Sequence, residues 1–329
     1  MIFYRSPSTD PAWNLAMEEY FFEKMDRSRS YFLLWQNHNT VVIGKNQNTM
    51  AEIDREYVRR NDIRVVRRLS GGGAVYHDDG NLNFTFITDA PEGGQIDLHR
   101  FCLPIAQALR SFGVEAVIGG RNDITVDGKK FSGNAQYVRQ GRVMHHGTLM
   151  FDSDLTVLQK ALRVDREKIA SKGILSVASR VTNLRPYLPE GVNIELFAQR
   201  LLEALAGGET PPLLELTESD LAEIQQRKEA RYDTWEWNYG RSPECTVVNS
   251  RRIEGCGMVR VHLRLECGCI RELQITGDFF GNRDAGELCA LLDGCECRNE
   301  AILQRLADVP TEEYIHNLSG RELAALLTA

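Results

Sequence analysis

The run Arg67-Arg68-Leu69-Ser70-Gly71-Gly72-Gly73-Ala74-Val75-Tyr76-His77-Asp78 constrains this chain more than any other segment. Three consecutive glycines cost backbone entropy on folding. A chain accepts that cost where the backbone takes a positive φ or lies flat against something else. Two guanidinium groups beside bare N–H groups form a site suited to phosphate or carboxylate. The plainer alternative is a tight turn between strands with exposed arginines. What the rest of the chain supplies decides between the two.

With 329 residues the chain is long enough for one large domain, or for a large and a small one. Its 43% hydrophobic and 26% charged residues fit an ordinary soluble globular protein. A net charge of −7 argues against a general nucleic-acid binder, which is more often basic, but leaves room for a local basic pocket. The segment Met1–Pro7 lacks a basic stretch followed by an apolar run. No run approaches the roughly 18 apolar residues of a membrane span. A cytoplasmic protein with no membrane or nucleic-acid partner is therefore expected. Of eight cysteines, only Cys102 lies outside the last 85 residues. Cys267-Gly268-Cys269 and Cys295-Glu296-Cys297 are C-x-C pairs, not the C-x-x-C spacing of structural zinc sites. Reduced, partly buried thiols are the plainer reading there, with a metal site as the alternative.

Asp10-Pro11 opens a helix, because Asp caps and Pro suits the first helical position. Short strands are predicted at 31–35, 40–45, 64–68, 74–77 and 81–86, the last from its polar–apolar alternation. A helix follows at 98–112, further strands lie near Gly119-Gly120 and Gly133, and another covers 143–151. From Leu155 to about Arg231 the pattern is helical, with Pro186 and Pro189 separating a helix over 155–173 from one over 194–206. Beyond Arg241-Ser242-Pro243 come short strands at 259–265 and 270–276, then helices at 285–292 and 299–306. This mixture reads as α+β rather than a regular βαβ alternation. A division into residues 1–243 and 244–329 is expected.

No segment fits the G-x-x-x-x-G-K-[ST] phosphate loop, and Gly71–Gly73 lacks dinucleotide-fingerprint spacing. Gly120-Arg121-Asn122-Asp123-Ile124 offers oxygen ligands suited to Mg²⁺, or simply residues that cap a turn. Asp127-Gly128 marks a hairpin turn. Lys129 and Lys130 after it point to opposite faces of a strand, so one is solvated and the other can face a pocket. His145 and His146 face opposite ways for the same reason and cannot easily share a metal.

The joint order of these segments is far more specific than any one of them. Arg-Arg-x-x-Gly-Gly-Gly-Ala-Val, Gly-Arg-Asn-Asp-Ile, Lys-x-Ser-Gly-Asn-Ala and His-His-Gly-Thr-Leu are followed by Lys172-Gly173-Ile174 and Ser179-Arg180-Val181-Thr182-Asn183-Leu184. The series resembles the lipoate–protein ligase family over about residues 10–240, and the small C-terminal domain fits its longer, two-domain members. The resemblance implies the large mixed-sheet catalytic domain of the biotin/lipoate ligase type with a small α+β C-terminal domain. It implies ATP-dependent conversion of lipoate to lipoyl-AMP, then amide formation on a lysine of a carrier domain. The carriers implied are the glycine-cleavage H protein and 2-oxoacid dehydrogenase acyltransferase subunits, served by a monomeric enzyme. Lys130 matches the family's central lysine, in contact with the α-phosphate and the lipoate carboxylate. The resemblance places Arg68, Gly73, Ala74, Val75, Tyr76, Asn122, Asp123, Arg180, Val181 and Asn183 around ATP and the adenylate, with Asp123 toward Mg²⁺. Trp35, Val42, Gly44, Gly72, His77 and His146, with Lys130, are placed around lipoate in an apolar tunnel. The loop 172–183 is expected to close over the adenylate, and Arg67 to be a solvated neighbour. A cysteine-dependent octanoyl- or lipoyl-transferase is disfavoured, because no cysteine lies between Cys102 and Cys245. A biotin ligase fits the ordered motifs less well, and a non-catalytic carrier-binding protein would have no need of Lys130.

Overall fold

The computed structural model describes residues 1–90, 97–119, 122–162, 180–239, 247–266 and 268–329. The strands in chain order are β1 (Ile2–Arg5), β2 (Tyr31–Trp35), β3 (Thr40–Ile43), β4 (Arg64–Arg67), β5 (Val75–His77), β6 (Asn81–Asp89), β7 (Val117–Gly119), β8 (Asp123–Val126), β9 (Lys129–Arg139), β10 (Arg142–Met150), β11 (Val247–Ile253), β12 (Gly257–Glu266) and β13 (Cys269–Gly277). Seven of them form one sheet in the order β1-β2-β6-β10-β9-β8-β7. Its β1–β2 pair is parallel and its other pairs are antiparallel, so the sheet is mixed as expected. A second sheet, β4-β3-β5, carries the arginine–glycine run between its outer strands. The third, β11-β12-β13, is an antiparallel meander in the C-terminal segment.

Strand alternation decides which side chains of the large sheet meet which layer. On one face, Phe32, Leu34, Phe84 and Phe86 pack with Phe101, Ile105 and Leu109 of the helix Leu98–Arg110 and with Phe197 and Leu201 of the helix Ile194–Leu205. On the other, Leu33, Trp35, Ile87 and Met144 meet the helix Pro11–Glu23 and the second sheet. That helix begins as the sequence predicts: the Asp10 side chain accepts from the Ala12 N–H, with Pro11 at the first position. It is buried nearly all round, Asn14, Glu18 and Glu19 included, as befits a helix held between layers. The β8–β9 hairpin turns at Asp127 and Gly128, both with positive φ, which is the geometry an Asp-Gly pair favours.

The C-terminal segment docks on the second sheet. Gly277 N–H donates to Asn46 O at 2.7 Å, Gly72 N–H to Phe279 O at 3.3 Å, and Lys45 Nζ lies 2.9 Å from Asp284 Oδ2. The boundary expected near residue 243 falls outside the described residues, as do Cys245, Cys267 and most of the predicted helix over 155–173, which is described as Leu155–Ala161. No helix among the described residues is long and apolar enough to cross a membrane.

Arg67 corrects an expectation. Rather than standing in solvent it is fully buried, and its guanidinium donates to the carbonyls of Gly44 (2.9 Å), Lys45 (3.1 Å), Gln47 (2.6 Å) and Trp237 (2.9 Å), and to Thr49 Oγ1 (2.6 Å). The loop after β3 turns its carbonyls inward, and only a planar group with five N–H donors satisfies so many at once.

Candidate active site

A narrow cavity of about 110 Å³ lies between the large sheet and the second sheet. It has room for several waters or one slender chain. Its floor runs across the large sheet in one register row. Thr148 of β10 pairs with Asn83 of β6, and Asn83 pairs with Trp35 of β2. On the β9 side, Gly133 N–H donates to Thr148 Oγ1 at 3.1 Å. The next row toward the same face brings Ala135, His146 and Thr85 into line. Gly72, Gly73, Ala74, Val75 and His77 form the opposite wall, with Val42 beside them and Leu15 from the first helix.

Lys130 and Asn122 stand at the β9 end. Lys130 Nζ lies 2.6 Å from Asp123 Oδ1, with both side chains about a third exposed. That oxygen has no hydrogen-bond partner among the described residues, so the contact is an ion pair without hydrogen-bond geometry. The Lys130 backbone is clamped from outside: its N–H donates to Arg180 O (2.7 Å) and its carbonyl accepts from Thr182 N–H (2.9 Å). Lys129, facing the other way, is exposed, as alternation predicts.

A buried polar chain runs behind the wall. Trp35 Nε1 donates to Thr85 Oγ1 (2.9 Å), Thr85 donates to Glu18, His146 Nδ1 lies 3.0 Å from Glu18 Oε1, and His146 Nε2 lies 2.6 Å from Ser70 Oγ. With a proton on Nδ1 facing the carboxylate, Nε2 accepts from the Ser70 hydroxyl. The same Ser70 oxygen accepts from Arg68 Nε at 3.1 Å. This has the connectivity of a Ser–His–acid triad, but Ser70 is 1% exposed and does not line the cavity, so it serves as a brace. Arg68 donates further to Val42 O (3.2 Å), Gly71 O (2.7 Å) and Gly73 O (2.7 Å). Burial pulls its pKa down to about 10, with the Glu18 carboxylate opposing, so it stays cationic at neutral pH. All these Arg68 bonds run into the protein, so it shapes the glycine wall and offers a bound anion its charge. His145, on the opposite face, stacks on Phe101 and is held neutral by burial.

Of the residues placed around lipoate by resemblance, Trp35, Val42, Gly72, His77, Lys130 and His146 line the cavity. Gly44 does not. A Cβ at Gly44 would lie 2.0 Å from Gly72 O, so this glycine admits the Gly72 backbone rather than a ligand. Gly44→Ala is expected to push the Gly72 wall out of place and cut lipoate turnover by at least about tenfold with the protein still folded, as a steady-state KM measurement would show. Of those placed around the adenylate, Arg68, Gly73, Ala74, Val75, Asn122 and Lys130 line the cavity, whereas Tyr76, Asp123, Arg180, Val181 and Asn183 do not. The Tyr76 ring is buried on the far side of β5, its hydroxyl donating to Asn39 Oδ1 at 3.1 Å. Both ends of the Asn183 amide pair with the Ser153 backbone, at 3.1 and 2.9 Å. Arg180 and Val181 flank the cavity through their backbone contact with Lys130. Residues 172–179 of the expected closing loop lie outside the described residues. Sequence reasoning missed Asn83, Gly133, Asn134 and Thr148. Gly133, Asn134 and Thr148 stand inside the quoted motifs on β9 and β10, which was their signal, whereas Asn83 had only the polar alternation of β6, which does not tell a solvated face from a polar cavity. The lining of the cavity is mostly apolar, with a few polar groups set into it.

Residues 10–206 match the family model described as the lipoyl protein ligase A/B catalytic domain, and residues 242–327 match the bacterial lipoate protein ligase C-terminus. The lipoate-protein ligase LplJ of Bacillus subtilis is 44% identical over 321 residues, covering 97% of both chains. Lipoate–protein ligase 1 of Staphylococcus aureus is 42% identical over 320 residues with the same coverage. Among solved structures, Plasmodium falciparum LipL1 in complex with lipoate superimposes with a TM-score of 0.79 over 99% of this chain and 98% of that one; at 22% identity this likeness speaks for the fold alone. A lipoate-protein ligase A bound with ATP is 25% identical, with a TM-score of 0.61 over 73% of this chain and 97% of that one. By its catalytic and C-terminal segments alike, the chain belongs to the lipoate–protein ligase family.

Proposed function

We propose that this enzyme activates lipoate with ATP and passes the lipoyl group to a lysine on a lipoyl-carrier domain. In the first step a lipoate carboxylate oxygen attacks the α-phosphorus and pyrophosphate leaves. In the second the neutral amine of the carrier lysine attacks the acyl carbonyl, AMP leaves, and the amine gives up a proton. Neither step needs an enzyme nucleophile. Both need fixed positive charge where negative charge develops. The observation that carries this reading is Lys130: a cation at one end of a cavity wide enough for a slender chain, with the buried Arg68 charge behind the adjoining glycine wall.

Lys130 would bridge the carboxylate and the α-phosphate, and the N–H groups of Gly73–Val75 would receive adenylate oxygens. Asp123 fits Mg²⁺, since among the described residues its buried Oδ1 has only the Lys130 ammonium against it, and Mg²⁺ commonly takes one carboxylate with phosphates and waters. The ion would neutralise phosphate charge there. The expected carriers remain the glycine-cleavage H protein and 2-oxoacid dehydrogenase acyltransferase subunits. An archaeal bipartite lipoate protein ligase solved as a system with its E2 lipoyl domain supports a carrier of this class. We retain a division at 1–243 and 244–329.

Cys102 lies in the core and does not line the cavity, and burial pushes its thiol up to about 12, the reverse of what a nucleophile needs. Cys102→Ala is therefore expected to keep full ligase activity, which a carrier-lipoylation assay reads directly; loss of transfer would favour a thiol-dependent transferase. The reading as a whole is tested by lipoate-dependent ATP–pyrophosphate exchange, and no exchange would sink it.

A further inference from the structure

Two buried polar side chains that line the cavity each hold a nitrogen without a partner among the described residues. His77 is 3% exposed and Asn83 is 1% exposed, and both line the cavity. Neither His77 Nε2 nor Asn83 Nδ2 has a hydrogen-bond partner among the described residues. The surrounding bonds place the ring proton of His77. The Asn14 amide donates to two backbone carbonyls, Ser8 O at 3.0 Å and Gln36 O at 2.7 Å, so its orientation is set. One of its two hydrogens is shared with Asn37 Oδ1 at 3.0 Å, so an acceptor faces Asn14 there and the Asn37 NH₂ turns toward His77 Nδ1 at 3.2 Å. Nδ1 is then an acceptor and the single ring proton sits on Nε2. Burial foremost, with the Arg68 charge beside it, pushes the His77 pKa down to about 3, so the ring stays neutral at any working pH. Asn83 Oδ1 accepts from Asn81 at 2.9 Å, and Nδ2 is the end of this amide without a partner among the described residues.

Buried donors left without acceptors are destabilising, and their presence in a ligand cavity calls for an explanation. Asn83 stands two strands from the β9 end, about 10 Å at the usual strand spacing. That is close to the length of an extended eight-carbon acid whose carboxylate meets Lys130. We propose that His77 and Asn83 form a donor pair that reads a sulfur acceptor at the far end of the acyl chain, so that the site prefers the dithiolane of lipoate to the all-carbon end of octanoate. This rests on the lipoate-activating reading above. A divalent sulfur, here of a cyclic disulfide, is a weak but polarisable acceptor, whereas a methyl or methylene accepts nothing. Octanoate would leave both donors unpaired, and a site with unpaired donors discriminates strongly against the analogue that causes it.

The test uses the full-length protein and three acids: lipoate, octanoate, and 5-cyclopentylpentanoate, which keeps the five-membered ring but replaces both sulfurs by carbon. Pyrophosphate-exchange kcat/KM is expected to be at least about tenfold higher for lipoate than for either carbon analogue. In His77→Phe and in Asn83→Leu, each checked by thermal melting, that ratio is expected to fall toward one. Equal kcat/KM for lipoate and its cyclopentyl analogue in the unmodified protein overturns the proposal, however the variants behave. Folded variants that keep the full ratio overturn it too. Lipoate-dependent exchange with no discrimination leaves the ligase reading intact and removes only this inference, whereas no exchange removes both.

Discussion

Lys130→Ala is expected to abolish adenylate formation while leaving the fold intact. The side chain is a third exposed and its one ion pair among the described residues is with Asp123, so its loss has little to unpick in the core. Its backbone, which carries the contacts with Arg180 and Thr182, is untouched by the substitution. The catalytic effect should be large because charge develops on the carboxylate–phosphate bridge in the first step and on the carbonyl oxygen in the second. Removing one preorganised donor from such a site typically costs about 10²- to 10³-fold in rate. Both half-reactions should suffer: exchange measured with lipoate, and transfer measured from preformed lipoyl-AMP. Lys129→Ala, one residue away on the exposed face, is expected to stay within about twofold of the unmodified rate. A Lys130→Ala protein that adenylates lipoate normally would show that the central lysine has been misassigned.

That contrast between neighbours was legible in the sequence, because it needs only the two-residue period of a strand and the turn before it. So was the opposition of His145 and His146, and the start of the first helix at Asp10-Pro11. Elements with a clear period or cap were placed within a few residues: Tyr31–Trp35 and Leu98–Arg110 are examples. Strand Ile2–Arg5 was not foreseen, since four residues without alternation carry no signal until Tyr31–Leu34 lies beside them. The helix Arg55–Arg60 escaped for a similar reason, with Val58 as its only buried side chain. In the site, motif order located Lys130, Arg68 and the glycine wall. What it could not convey was direction: Tyr76 turns away from the cavity, Asn183 is tied to Ser153, and Gly44 makes room for backbone. Asn83 lies in no glycine-rich segment, and only the register Thr148–Asn83–Trp35 brings it to the cavity.

Arg67→Ala is expected to be the most destabilising single change in the arginine–glycine run. The buried guanidinium holds carbonyls from Gly44, Lys45, Gln47 and Trp237 and the Thr49 hydroxyl, so truncation leaves several buried acceptors without a donor and opens a void. Breaking a buried, hydrogen-bonded cation of this kind typically costs about 3–5 kcal/mol. For a protein of this size that corresponds to a fall in Tm on the order of 10 °C. Arg67→Lys should recover little, because an ammonium is a compact charge that cannot span acceptors arranged around a planar fork. The damage should also reach the cavity. Lys45 N–H donates to Ser70 O at 2.8 Å, and Gly44 packs directly against Gly72, so loosening the Gly44–Gln47 loop releases the glycine wall. At a temperature where the variant is still folded, KM for lipoate should therefore rise alongside the loss of Tm. A melting temperature within about 2 °C of the unmodified protein would show that the loop holds itself together without Arg67. In that case the pairing of a structural arginine with a charge-bearing one, which explains why two arginines precede the glycines, would have to be given up.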